Sequence, residues 1–83
     1  MLTEKEFETL KELISKVEKL VNSYYEKNIK TDDTYSLNGW DLETNGVCIY
    51  SHYLDYNDDI EHQTTFVTLE ELNKIYDNRD NNN

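Results

Sequence analysis

Three residues of the chain, Cys48, His52 and His62, are of the types that bind zinc or carry out nucleophilic catalysis. A structural zinc site has four ligands, mostly cysteine and histidine, but the expected strand pairing places Cys48 and His52 on one sheet face and His62 on the other. A nucleophilic cysteine needs a base within hydrogen-bond distance, whereas His52 lies four residues along the same strand, about 13 Å away. We therefore expect no catalytic residues, no metal site and no cofactor, and a protein that is not an enzyme.

The acidic segment from Asp55 to Glu61 contains the oxygen ligands that calcium prefers. An EF-hand loop has glycine at its sixth position and glutamate at its twelfth, whereas this chain has Ile60 and Phe66 there. The segment is therefore expected to form the tip of a β-hairpin. Its carboxylates then face solvent or recognise another protein, and binding of a cation is the third alternative.

Three strand-like runs between Gly39 and Val67 are separated by two turn signals. Asn45-Gly46 favours a two-residue type I′ turn, because these residues best tolerate the positive φ that both turn positions need. The second turn lies at Asn57-Asp58-Asp59, and a two-residue loop at Asp58-Asp59 is its expected form. The pattern predicts a three-stranded antiparallel meander.

The expected register sorts the strand residues into two faces, because side chains alternate along a strand. In this register Leu42 pairs with Ile49, and Ser51 pairs with Phe66. The face expected to be buried carries Trp40, Leu42, Val47, Ile49, Tyr53 and Phe66. The opposite face carries Asp41, Glu43, Cys48, Tyr50, His52 and Tyr56, with Leu37 and Leu54 at its far end.

The N-terminal segment has the pattern of an amphipathic helix. Thr3 and Glu6 have the spacing of a capping box, and apolar residues recur in steps of three and four from Phe7 to Tyr24. This predicts a helix that ends at about Asn28 and covers one face of the sheet. The same alternation is that of a heptad, so a homodimer formed through this helix is the alternative.

A second helix start follows the third strand-like run, where Thr68 and Glu71 repeat the capping-box spacing. The apolar residues beyond it predict a short helix to about Tyr76, and residues 78–83 are expected to be a frayed tail. Residues 1–83 are therefore expected to form a single α+β domain. In it, an N-terminal amphipathic helix packs on a three-stranded antiparallel meander and a short C-terminal helix follows.

Charge is distributed unevenly along the chain, whose net charge is −10. Residues 1–30 hold six lysines and six glutamates, whereas residues 31–83 hold one lysine and one arginine against twelve acids. Because a negative surface repels phosphates, we expect no direct binding of nucleic acid. A basic protein surface is the expected partner.

The remaining bulk features favour a cytoplasmic protein. No apolar run approaches the length of a membrane span, and no signal peptide is evident at the start, so no membrane partner is expected. The single cysteine cannot form an internal disulfide, so the fold does not depend on oxidation.

A partner-binding surface is expected on the sheet face that the first helix leaves uncovered and on the nearby acidic hairpin tip. Tyrosine offers apolar contact area there, and carboxylates attract lysine and arginine. The expected partner-binding residues are Asp41, Glu43, Tyr50, Asp55, Tyr56, Asp58, Asp59 and Glu61.

In its short length, acidic meander and lack of catalytic groups, the chain resembles small phage- or mobile-element-encoded anti-defence proteins, including anti-CRISPR inhibitors. A composition rich in asparagine, lysine, isoleucine and tyrosine, without alanine or proline, is part of the resemblance. It implies an inhibitor whose carboxylates occupy a basic nucleic-acid-binding cleft of a host effector, imitating DNA in the host cytosol. The same surface suits an immunity protein or antitoxin that neutralises a toxic nuclease, and a regulatory homodimer is the further alternative.

Overall fold

The chain folds as a helix, three antiparallel strands and a short helix, which confirms the expected α+β architecture. The computed structural model describes residues 1–74. The predicted end of the second helix, at Ile75 and Tyr76, and the predicted tail at residues 78–83 lie outside the described residues. The elements are α1 (Glu4–Tyr24), a π-helical turn (Tyr25–Ile29), β1 (Ser36–Glu43), β2 (Gly46–Leu54), β3 (Ile60–Thr68) and α2, whose described part is residues 69–74.

The start of α1 has the predicted capping box. The Thr3 hydroxyl accepts a hydrogen bond from the Glu6 N–H at 3.1 Å, and the Thr3 N–H donates to the Glu6 carboxylate at 3.0 Å. At its other end the helix widens into the π-helical turn, closed by a bond from the Lys30 N–H to the Tyr25 carbonyl. No helix within residues 1–74 has the length and apolarity needed to cross a membrane.

The π-helical turn keeps buried residues on one side of the helix. Val21, Tyr25 and Ile29 are spaced by four, and all three are buried. In a regular α-helix such a series drifts around the axis, because a turn contains 3.6 residues. The wider turn offsets this drift, so all three side chains reach the sheet.

The first hairpin has a register two residues away from the predicted one. Leu42 pairs with Val47 rather than with Ile49, and Gly46 is already in β2, opposite Glu43. The loop is therefore Thr44-Asn45. Because the shift is by an even number of residues, the side chains keep their predicted faces.

Gly46 serves close packing rather than a positive φ. Neither glycine has a positive φ, so the predicted type I′ turn is wrong. A Cβ on Gly46 would instead lie 2.1 Å from the carbonyl oxygen of Val67. Glycine at this position therefore allows β3 to approach β2 closely.

A bulge in β1 changes the face of Leu37. The register shifts between Leu37, which pairs with Ser51, and Gly39, which pairs with Tyr50, leaving Asn38 as the extra residue. An extra residue reverses the alternation on one side of the bulge. Leu37 consequently packs against the core, so its predicted place on the opposite face is wrong.

The second hairpin reverses the predicted faces of β3. Its loop is Asp55–Asp59, five residues between the paired Leu54 and Ile60. An odd loop in place of the predicted two-residue one turns every β3 side chain to the other face. Phe66 therefore lies opposite Cys48 and is 47% exposed, and its predicted burial is wrong.

The core lies between the end of α1 and one face of the sheet, and it is small. Trp40 and Tyr53, expected on this face, are half-buried, whereas Leu42 is 65% exposed. The Leu69 N–H donates to the Asn45 carbonyl at 2.8 Å and ties α2 to the first hairpin. The buried apolar residues are Val21, Tyr25, Ile29, Val47, Ile49, Val67 and Leu72.

Replacing Gly46 by alanine is expected to destabilise the protein by about 2–3 kcal/mol, because the new methyl group overlaps the Val67 carbonyl. Gly39→Ala is the matched control, since its Cβ would meet nothing within 4 Å. Its effect should be below about 1 kcal/mol and in the stabilising direction, because alanine lowers the entropy of the unfolded chain. Urea unfolding followed by circular dichroism measures both, and equal effects would contradict the close approach of β3.

Candidate protein-binding face

The sheet has one face that contributes nothing to the core. The core residues of α1, the π-helical turn and α2 pack against the other face. We call the uncovered side the open face. Its side chains, read from the alternation and the strand pairing, are Ser36, Asn38, Asp41, Glu43, Cys48, Tyr50, His52, Leu54, Ile60, His62, Thr64, Phe66 and Thr68.

Hydrogen bonds between neighbouring strands hold the two carboxylates of the open face. The Tyr50 hydroxyl donates to Oδ2 of Asp41 at 3.0 Å, and Sγ of Cys48 donates to Oε1 of Glu43 at 3.4 Å. Both bonds run diagonally across the ladder, since Asp41 is directly opposite Cys48. Each carboxylate therefore has one oxygen engaged by a side chain of β2 before any partner arrives.

The same contacts keep the phenol and the thiol protonated. The hydrogen bond to Asp41 and then burial raise the pKa of Tyr50, because a nearby carboxylate disfavours phenolate. Burial first, and then the hydrogen bond and charge of Glu43, raise the pKa of Cys48. A thiol that stays protonated is a weak nucleophile, so this cysteine acts as a hydrogen-bond donor.

The strand β3 adds aromatic side chains that sequence reasoning assigned to the other face. His62 lies opposite His52, with ring centroids 6.1 Å apart, so its predicted separation from His52 and Cys48 is wrong. Nδ1 of His52 is 2.6 Å from Oδ1 of Asn38, the bulge residue. Although Cys48, His52 and His62 share a face, the described part of the chain has no group of three or more His, Cys, Asp or Glu arranged to hold a metal ion.

The hairpin tip presents fewer carboxylates than its sequence suggests. Oδ1 of Asp55 accepts hydrogen bonds from the N–H groups of Asn57 at 2.8 Å and Asp59 at 3.0 Å, so this carboxylate shapes the loop. Asp58 has a φ of 64°. Tyr56 is 96% exposed, and the side chains of Asp58 and Asp59 are exposed beside it.

The predicted partner-binding residues therefore divide into three groups. Asp41, Glu43 and Tyr50 come together on the open face. Glu61 pairs with Tyr53 and lies on the opposite face, because of the five-residue loop, so its predicted place beside the others is wrong. The group at the hairpin tip is Asp55, Tyr56, Asp58 and Asp59.

The two carboxylates of the open face and the hairpin tip lie at opposite ends of β2. Cys48 and Asp55 are seven residues apart, which is about 24 Å along an extended strand. Tyr50 and His52 lie between them, with Thr64 and His62 as their neighbours on β3. One partner surface of standard size can span this length, with acids at both ends and aromatic side chains between them.

Sequence reasoning missed Asn38, His62 and Phe66 as members of this face. The Phe66 assignment depended on the length of the second loop, which was predicted to have two residues and has five. The signal for the bulge at Asn38 was the neighbouring Gly39, because a glycine inside a strand often marks a bulge.

The charge of the sheet is not balanced by basic residues of the strands. Between Lys30 and Lys74 the chain has no lysine or arginine. The ion pairs in the described residues are each within a helical segment, namely Lys11–Glu8 at 3.2 Å, Lys30–Glu26 at 3.8 Å and Lys74–Glu70 at 3.9 Å. The carboxylates of the open face therefore suit cations supplied by another molecule.

Comparison of the chain with protein-family models, with curated proteins and with solved structures found no match. Its function is therefore inferred from the chemistry of the open face. That face combines negative charge, which suits a basic partner through electrostatic complementarity, with exposed aromatic area, which is enriched in protein interfaces.

Glu43→Gln is expected to lower the pKa of Cys48 and to speed its alkylation by iodoacetamide, because it removes the nearest negative charge. In the unmodified protein the midpoint of the pH–rate profile should lie above that of a free cysteine. Asp59→Asn removes the same charge at the far end of β2 and is the control. Identical profiles for Glu43→Gln and Asp59→Asn would contradict the contact between Glu43 and Cys48.

Proposed function

We propose that the protein is a non-enzymatic acidic binding protein that inhibits a basic, nucleic-acid-binding partner protein. The open face covers the partner's lysines and arginines and so excludes nucleic acid from them. One observation carries the proposal: Asp41 and Glu43 are held in place by hydrogen bonds on strands without any lysine or arginine.

The two carboxylates are arranged to receive cations. They are two residues apart on β1 and therefore about 7 Å apart on one face. The hydrogen bonds from Tyr50 and Cys48 each engage one oxygen. The second oxygen of each carboxylate can accept a charge-assisted hydrogen bond from arginine or lysine. Groups that are ordered before binding lose less entropy when the complex forms.

The aromatic residues of the open face supply apolar contact. Phe66 is 47% exposed and lies opposite Cys48, with β2 between it and the two acids. Phenylalanine and tyrosine are common in the centres of interfaces, and arginine stacks on aromatic rings. The face therefore offers both attraction for a basic surface and an anchor that excludes water from it.

The overall charge favours rapid association with such a partner. A net charge of −10 attracts basic surfaces over a distance set by the ionic strength. A cleft that binds nucleic acid is the largest basic surface of many effector proteins. An anti-defence inhibitor of the anti-CRISPR type is therefore the specific form of the proposal, with carboxylates taking the place of phosphates.

The double variant Asp41→Asn/Glu43→Gln is expected to bind the partner about tenfold more weakly, because it removes the fixed charge of the open face. The immobilised protein captures partners from a nuclease-treated host lysate at low salt, and a salt gradient elutes them. Elution from the variant should occur at lower salt. Glu8→Gln/Glu12→Gln in α1 is the matched control, because it removes the same charge from exposed helix residues.

A captured protein counts as the partner only if saturating amounts of the unmodified protein block its binding to nucleic acid. Equal elution of the two double variants, or nucleic-acid binding that is unaffected, would refute the proposal. Elution that does not depend on salt would also refute it, since the attraction is electrostatic.

Phe66→Ala is expected to weaken binding of that partner by about 2 kcal/mol, the size of an interface hot spot, without changing the salt dependence. Because the ring is half exposed, the free energy of unfolding should change by less than about 1 kcal/mol. Leu42→Ala, at a residue 65% exposed on the opposite sheet face, is the control. Calorimetric titration measures the affinities, and equal values for the two variants would exclude Phe66 from the interface.

A further inference from the structure

The first half of α1 extends away from the rest of the described molecule. Every residue from Met1 to Lys16 is exposed, and contact with the core begins at Val17. We call residues 1–16 the arm. The arm carries an apolar stripe of five exposed residues: Leu2 (59%), Phe7 (50%), Leu10 (38%), Leu13 (53%) and Ile14 (40%).

Among the described residues, 1–74, none packs on the arm in the way that usually stabilises a helix of its length. Isolated helices shorter than about 12–15 residues are marginal in water. The capping box at Thr3 is worth about 1 kcal/mol, and the Lys11–Glu8 pair adds a few tenths. Burial of the apolar stripe against another surface would provide the missing stabilisation.

We propose that this surface is the arm of a second copy of the chain, packed antiparallel. The proposal is independent of the proposed function, which uses the open face. The twofold axis of the antiparallel pair passes between Phe7 and Leu10, so that Phe7 of one chain packs on Leu10 of the other. At the same time Leu2 packs on Leu13 of the second copy, and the twofold symmetry repeats both contacts.

Charge at the edge of the stripe fits this register. Lys11 lies beside the stripe, with its Nζ 5.6 Å from the centroid of the Phe7 ring. In the antiparallel pair it faces Glu4 of the second copy, and the symmetry gives two such pairs. Glu8 already pairs with Lys11 at 3.2 Å, so Lys11 would lie between two carboxylates.

The charge of the whole molecule favours the antiparallel orientation over the parallel one. Residues 1–30 hold equal numbers of lysine and glutamate, whereas the rest of the chain holds the net charge of −10. With a rise of 1.5 Å per residue, the two copies of Val17 in the antiparallel pair are about 27 Å apart. This separation exceeds the Debye length of about 8 Å at physiological salt, so the acidic parts of the two chains are screened from each other. In a parallel pair the helix axes would be about 8–10 Å apart, and the two acidic parts would lie side by side.

A second copy fits the stripe better than a charged partner or a membrane. The arm holds four glutamates and three lysines, an imbalance too small to select a strongly basic or acidic protein, and anionic lipids repel a body with ten negative charges. The exposed fractions of the stripe correspond to roughly 500 Å² of apolar surface per chain, as large as the largest patches on monomers. A symmetric pair would bury about twice that area plus the stems of flanking lysines, which approaches the ~1,200 Å² of a specific interface.

Sedimentation equilibrium of the full chain over a range of concentrations at physiological salt tests the proposal. The unmodified protein should show a monomer–dimer equilibrium. Leu10→Glu places a charge in the stripe of both chains and should raise the dimer dissociation constant at least ~30-fold. Ser15→Glu adds the same charge to an exposed residue on the other side of the helix and should leave the constant unchanged.

A charge exchange tests the register. Lys11→Glu should weaken the dimer, because it places carboxylates opposite each other, and Glu4→Lys/Lys11→Glu should restore it. Far-UV circular dichroism of each variant monitors the helix of the arm. A monomer at every concentration, a dimer insensitive to Leu10→Glu, or binding to vesicles of neutral phosphatidylcholine by the monomer would each overturn the proposal.

Discussion

The carboxylate of Asp55 accepts hydrogen bonds from the N–H groups of Asn57 and Asp59, and this small network determines much of the structure. It closes a loop of five residues, and the odd number decides which side of β3 faces the helix. With this loop Val67 is fully buried, whereas Phe66 lies on the open face. A two-residue loop would have exchanged them. The composition of both sheet faces therefore depends on a local interaction at the tip of the hairpin.

The core that results is thin, and its small side chains permit close contacts. Val47 and Val67 pair directly, and Gly46 lets the backbone of β3 approach where a Cβ would overlap a carbonyl. Such a core accommodates only the last turns of α1, with Val21, Tyr25 and Ile29 as its contacts. The small area of the sheet explains why a helix of 21 residues extends beyond it. The arm is thus a consequence of the size of the core.

The molecule has two separate surfaces that are suited to contacts with other molecules. The open face carries fixed carboxylates, a protonated phenol and an exposed phenylalanine. The arm carries an apolar stripe on a segment whose four glutamates and three lysines nearly balance. Electrostatic attraction acts over a longer range than apolar contact but weakens with salt, so the two surfaces respond to different conditions. An antiparallel pair of arms would place the two open faces at opposite ends of the assembly, each available to its own partner.

The amino-acid sequence by itself determined the element order and the helix starts, because these depend on contacts within a few residues. Thr3 and Glu6 form their capping box without help from the rest of the chain. Alternation likewise placed Asp41, Glu43 and Tyr50 on one face, and a register error of two residues left them there. The burial of Val67 rather than Phe66 follows from the loop that Asp55 closes, whereas tertiary structure decided the bulge at Asn38 and the length of α1 that reaches the core. These features depend on how many residues fit between paired strands and on the area available for packing, which local patterns do not encode.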